Sequence, residues 1–87
     1  MIVLLYWDGR CSRAIDVLED ALDRALGEKG EVTGSGTGQA GGNVDLFIKD
    51  DAMSDGQVLL LIREALADDE LPGSTWVVID GRRHRFA

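Results

Sequence analysis

Seven glycines between Gly27 and Gly42 run directly into an alternating strand, and this segment constrains the fold more than any other part of the chain. From Glu31 to Gly38 the residues alternate. Glu31, Thr33, Ser35 and Thr37 stand on one side, and Val32, Gly34, Gly36 and Gly38 on the other. A strand whose face is glycine has no side chains to pack there, so a helix or a partner chain is expected close against it. Gly34, Gly36 and Gly38 are therefore candidate interface residues. Gln39 to Gly42 reads as a turn. Val44, Leu46 and Ile48 then alternate with Asp45, Phe47 and Lys49, as in a half-buried antiparallel strand.

The same segment spells a dinucleotide-binding fingerprint, Gly36-Thr37-Gly38-Gln39-Ala40-Gly41. That motif works only between a strand and a helix, because the phosphates sit on the helix N-terminus. Here a strand follows, and the next helix begins near Ser54. No cofactor is expected.

The other elements follow from periodicity. Ile2 to Trp7 is uninterrupted apolar and suits a central strand buried on both faces. Ile15, Leu18, Leu22 and Leu26 form one stripe of a helix spanning Cys11 to Leu26. Asp16, Glu19, Asp20 and Asp23 lie opposite, and Gly27 is the C-terminal cap. Ser54-Asp55-Gly56-Gln57 is a capping box, with Met53 and Val58 spaced as a hydrophobic staple. The helix it opens carries Val58, Leu61, Ile62, Ala65 and Leu66, and Pro72 stops it. Thr75 to Ile79 is a further strand, Asp80-Gly81 a hairpin turn, and Arg82 to Ala87 a polar edge strand. Both tryptophans, Trp7 and Trp76, are expected in the core.

The order β-α-β-β-α-β-β predicts a single α+β domain over residues 1–87. We expect a ferredoxin-like βαββαβ sandwich with an extra C-terminal hairpin strand. Both helices should then cover one face of an antiparallel-rich sheet. A chain of 87 residues with 45% hydrophobic side chains can bury one small core.

Charge and cysteine count limit the functional classes. The net charge is −7. Residues 1–81 hold 6 basic and 16 acidic side chains, while residues 82–87 add Arg82, Arg83 and Arg85 and no acid. An acidic body repels nucleic acid and anionic membranes and suits a basic protein partner. One cysteine excludes an internal disulfide framework. No apolar run approaches the ~20 residues of a membrane span. The opening run lacks a preceding basic region and meets Asp8 at once, so a strand is expected there rather than a signal peptide, and a cytoplasmic location is the default.

Few residues carry chemistry. Cys11 follows a strand and opens a helix, a setting that lowers a thiol pKa, with Arg10 and Arg13 nearby. Ala14 stands where a resolving cysteine would be, so Cys11 is a candidate reactive thiol without a partner. His84 lies between Arg83 and Arg85 with no second histidine for a metal site, and reads as an exposed strand residue. Asp50, Asp51 and Asp55 lack the ligand spacing of a calcium loop. No metal site and no catalytic residue are assigned.

Two resemblances accompany these readings. Tyr6-Trp7-Asp8-Gly9-Arg10-Cys11 and Thr75-Trp76-Val77-Val78-Ile79-Asp80-Gly81-Arg82 resemble the cysteine loop and final hairpin of thioredoxin and glutaredoxin proteins. The second cysteine and the proline just before the third strand are missing. Over most of its length the chain is similar to a group of small uncharacterised bacterial proteins. The pieces that carry this are Asp8-Gly9, Gly30 to Gly38, Asn43-Val44-Asp45 and Pro72-Gly73-Ser74-Thr75. The resemblance implies a ferredoxin-like α+β sandwich with a glycine-rich second strand and no established activity. Some acidic proteins of this fold and size act as immunity proteins that neutralise toxins.

The expected function is thus a non-enzymatic protein-interaction module, binding or neutralising a basic partner through its acidic surface, or self-associating as a homodimer. Two other classes stand beside it. One is a thiol protein using Cys11, which needs a depressed thiol pKa. The other is an ACT-like small-molecule sensor, which needs a dimer with a pocket at Gly36 to Gly42.

Overall fold

The computed structural model describes residues 1–9, 14–67, 71 and 74–86, which form two α-helices and one five-stranded sheet. The apolar opening run becomes β1 (Ile2–Asp8), the middle strand. It is flanked by β3 (Gly41–Ile48) and β4 (Thr75–Ile79), with β2 (Gly30–Thr37) and β5 (Arg82–Arg85) at the edges. Every pairing is antiparallel, and the sheet order is β2-β3-β1-β4-β5.

Helices α1 (Ile15–Leu26) and α2 (Asp55–Ala65) follow their predicted stripes, but α1 begins at Ile15 and not at the expected Cys11, because Ala14 is extended (φ −66°, ψ 145°) and stands at the N-cap. Leu18, Leu22 and Leu26 from α1, and Val58, Ile62 and Leu66 from α2 and its C-terminal end, are buried; Ile15 is half-buried. They meet Val3, Leu5 and Trp7 of β1, Val44, Leu46 and Ile48 of β3, and Val77 and Ile79 of β4 in one core. Those strand residues alternate along each strand, so they share one sheet face. Both helices therefore lie on that face. Trp7 is packed tightly enough to leave its indole Nε1–H buried without a hydrogen-bond partner among the described residues. An unmatched donor of this kind costs about 1–3 kcal/mol.

Local chemistry sets the boundaries. Ser54 Oγ accepts from the Gln57 amide, and the Gln57 side chain accepts from the Ser54 amide, completing the capping box of α2. The β4–β5 hairpin turns on Asp80 and Gly81, both with positive φ (46° and 85°), as a two-residue turn of matching twist requires. Helix α1 ends at Gly27, followed by a short 3-10 turn.

Three sequence expectations change. Strand β1 is central but buried on one face only. Its other face carries Ile2 and Leu4, 60% and 37% exposed. Trp76 lies on this uncovered face as well, opposite in phase to the buried Val77, and is only half-buried. In β2 the alternation does not run unbroken. Val32 pairs with Leu46 and Gly34 with Asp45, which leaves Thr33 as a bulge. One extra residue reverses the parity of everything after it. Val32 faces the core, whereas Gly34 and Gly36 face away from the helices, and Gly38 falls beyond the strand in the β2–β3 turn.

Candidate interaction surface

The uncovered face of the sheet is built from three cross-strand rows. The first runs Glu31, Phe47, Ile2. The second runs Gly34, Asp45, Leu4, Val78, Arg83. The third runs Gly36, Asn43, Tyr6, Trp76, Arg85. The middle of the face is apolar and aromatic, with Phe47 38% exposed beside Ile2 and Leu4.

Its two sides differ. On the β5 side, the Arg83 guanidinium stacks over the Trp76 ring, 3.8 Å from its centroid, and lies 5.9 Å from that of Tyr6. Arg85 approaches the same Trp76 ring at 5.4 Å. Cation–π contacts of this kind hold both side chains over the sheet. On the β2 and β3 side stand Glu31, Asp45 and Asn43, and Asn43 Nδ2 donates to Asp45 Oδ1 at 3.1 Å. Gly34 and Gly36 contribute no side chains, so the face is lowest along β2.

The glycines divide into two kinds. A Cβ on Gly42 would lie 2.5 Å from Trp7 Cζ2, and one on Gly30 would strike the Phe47 carbonyl oxygen. Those glycines are required by close packing. A Cβ on Gly34 would meet only the Asp45 carboxylate, at 3.5 Å, and one on Gly36 the Asn43 side-chain oxygen, at 3.1 Å. Backbone approach within the chain therefore does not explain Gly34 and Gly36. Gly38 donates its amide to the Gly41 carbonyl within the turn and takes no part in the face. The fingerprint Gly36 to Gly41 is thus a hairpin, with no helix after it.

On the helix-covered side, α1 and β2 are tied by polar contacts. Ser35 Oγ donates to the Glu19 carboxylate, and Asp23 Oδ1 accepts from the Val32 amide at 3.1 Å. Strand β5 is fastened to α2 by a cluster that sequence reasoning missed. Arg82 donates through Nε and Nη2 to the two Asp55 oxygens at 2.8 and 2.7 Å, and His84 Nε2 lies 2.7 Å from Asp55 Oδ2. The Arg82 hydrogen bond and then that of His84 hold the Asp55 carboxyl well below the usual carboxylate range. His84 is therefore half-buried and partnered, not an exposed strand residue. The one available signal was β-strand parity, which places Arg82 and His84 on the helix side of β5.

Among the described residues, no group of three or more His, Cys, Asp or Glu side chains could hold a metal ion. A groove of about 480 Å³ lies between α1 and α2, lined by Ala25, Met53, Leu60, Leu61 and neighbouring polar residues, away from the β2–β3 turn. Cys11, the candidate thiol, lies outside the described residues. No helix among the described residues is long and apolar enough to cross a membrane. No protein-family model matches the chain, and no curated protein or solved structure matches it.

Proposed function

We propose that this chain is a non-enzymatic protein-interaction module that engages a protein partner through the uncovered face of its sheet. The observation that carries this reading is the set Ile2, Leu4 and Phe47, large apolar side chains left exposed together, with Tyr6 and Trp76 among them. Contiguous apolar surface rimmed by polar residues marks an interaction site. The flanking arginines and carboxylates supply that rim. A ferredoxin-like architecture fits this role. The segment β2-β3-β1-β4, with both helices on one side and β5 added at the edge, supports it. A sandwich of two layers leaves the second sheet face available.

The acidic helical layer is a second surface, one suited to a basic partner in the manner of an immunity protein. Asp16, Asp20 and Asp23 of α1 are exposed there, in a chain of net charge −7. Two variants separate the surfaces. Leu4→Asp places a charge at the centre of the sheet face, and Asp16→Asn/Asp20→Asn removes charge from α1. In affinity capture from lysate, Leu4→Asp is expected to abolish retention of protein partners while the α1 variant retains them. Loss only in the α1 variant would move the binding surface to the helices.

A further inference from the structure

We infer that the occupant of the sheet face is a second copy of this chain, stacked face to face about a two-fold axis running along β1. This rests on the protein-interaction reading of that face. The face is polarised across the strands. Arg83 and Arg85 lie on the β5 side, and Glu31 and Asp45 on the β2 and β3 side. Strand β1 is the middle strand, two strands from either edge.

A two-fold axis along β1 turns the second sheet over sideways, so its β5 lies above the first copy's β2 and its β4 above β3. The partner's Arg83 then faces Gly34 and Asp45, and the partner's Arg85 faces Gly36 and Asn43. Opposite charges meet, and the bulky Arg-on-Trp ridge of each copy enters the low strip where the other has only glycine. Each apolar centre covers the other. The alternative in-plane axis, across the strands, sets β5 over β5 and brings like charges together, which is unfavourable. The interface also accounts for Gly34 and Gly36, which no backbone contact within the chain requires.

Sheets stack about 10 Å apart with strand directions within ~30°. Five strands at ~4.8 Å spacing and about six residues of ~3.3 Å rise cover roughly 500 Å² per copy. About 1,000 Å² in total is near the lower bound of specific interfaces. The association should therefore be reversible and of roughly micromolar strength. The stacking surface of Trp76 is already occupied by Arg83, which favours a protein over single-stranded nucleic acid as the occupant.

Sedimentation equilibrium from about 1 to 500 μM tests this, a range that spans micromolar dissociation. A monomer–dimer equilibrium is expected. Asp45→Arg and Arg83→Asp should each raise the dimer dissociation constant by about tenfold or more, because each sets like charges opposite one another. Mixed in equal amounts, the two variants should form a heterodimer of near wild-type strength, since one contact is reversed and the other restored. A strictly monomeric wild type, or a dimer indifferent to these changes, overturns the proposal. So does tight binding of a single-stranded oligothymidylate in a polarisation assay. Should the wild type be monomeric while Leu4→Asp still abolishes capture of another protein, the second copy is ruled out and the interaction reading survives. If Leu4→Asp leaves both unchanged, that reading fails as well.

Discussion

The two faces of the sheet are made from the same strands and nearly the same residue types, yet they have different fates. On the helix side, Val3, Leu5, Val44, Ile48, Val77 and Ile79 are completely buried. One residue along in either direction, Ile2, Leu4 and Phe47 stand in solvent. An antiparallel sheet with one open face ordinarily alternates apolar with polar residues. Strand β1 does not: Ile2, Leu4 and Tyr6 are as suitable for a core as Val3 and Leu5. The contrast teaches that folding of a single chain covers only one of the two apolar faces of β1 and leaves the other open.

The sharpest way to break this comparison is to truncate neighbours. Leu5→Ala should cost about 2–5 kcal/mol in denaturant unfolding, because it empties a filled site under both helices. Leu4→Ala should cost less, about 1–2 kcal/mol, at a protein concentration where the chain is monomeric, since Leu4 is already 37% exposed. Equal losses would mean that the outer face is as well packed as the core.

A smaller effect separates the glycines of the two faces. Gly42→Ala drives a methyl group against the Trp7 indole and should destabilise by about 1–3 kcal/mol, as overpacking does. Gly36→Ala meets only the Asn43 side chain and should shift monomer stability by less than about 0.5 kcal/mol, while weakening self-association. Thermal unfolding of the two variants at one low concentration compares them directly.

The smallest effect concerns the α2–β5 fastening on the covered side. Asp55 has its pKa lowered in the folded chain, chiefly by the Arg82 hydrogen bond and then by His84. A carboxylate with a depressed pKa contributes stability above its unfolded value of ~3.9, and the contribution is lost as pH falls toward the folded value. Asp55→Asn should therefore be less stable than the parent at pH 7, and the gap should close as pH falls below about 4. A pH-independent gap would show that the ion cluster contributes nothing specific to the charge.

Much of the architecture was legible because its signals are local. The stripes of α1 and α2, the Ser54–Gln57 box and the Asp80-Gly81 turn each lie within a few residues. The uncovered face was not legible for a physical reason. Ile2 to Trp7 and Trp76 to Ile79 are apolar at every position, so period-two alternation has no phase and cannot say which face lacks a cover. The reversal at Thr33 was hidden too, because one inserted residue leaves no pattern of its own, and it moved Gly34 and Gly36 to the opposite face from Val32. The sequence pattern puts Gly34, Gly36 and Gly38 on one face of a strand, whereas β2 ends at Thr37 and leaves Gly38 in the turn. The Asp55–Arg82–His84 cluster joins residues 27 and 29 positions apart, beyond the reach of spacing arguments.

The bulge at Thr33 also bears on what kind of assembly this chain can avoid. A sheet with two free margins is a template for lateral growth into fibres, since each margin presents unpaired amide and carbonyl groups. Here one margin is kinked by the bulge, and the other carries Arg82, Arg83 and Arg85 in four residues. Both are recognised ways of discouraging strand addition. In the dimer proposed above, stacking uses the broad face while both margins discourage strand addition, so such an association would end at a closed pair and not propagate.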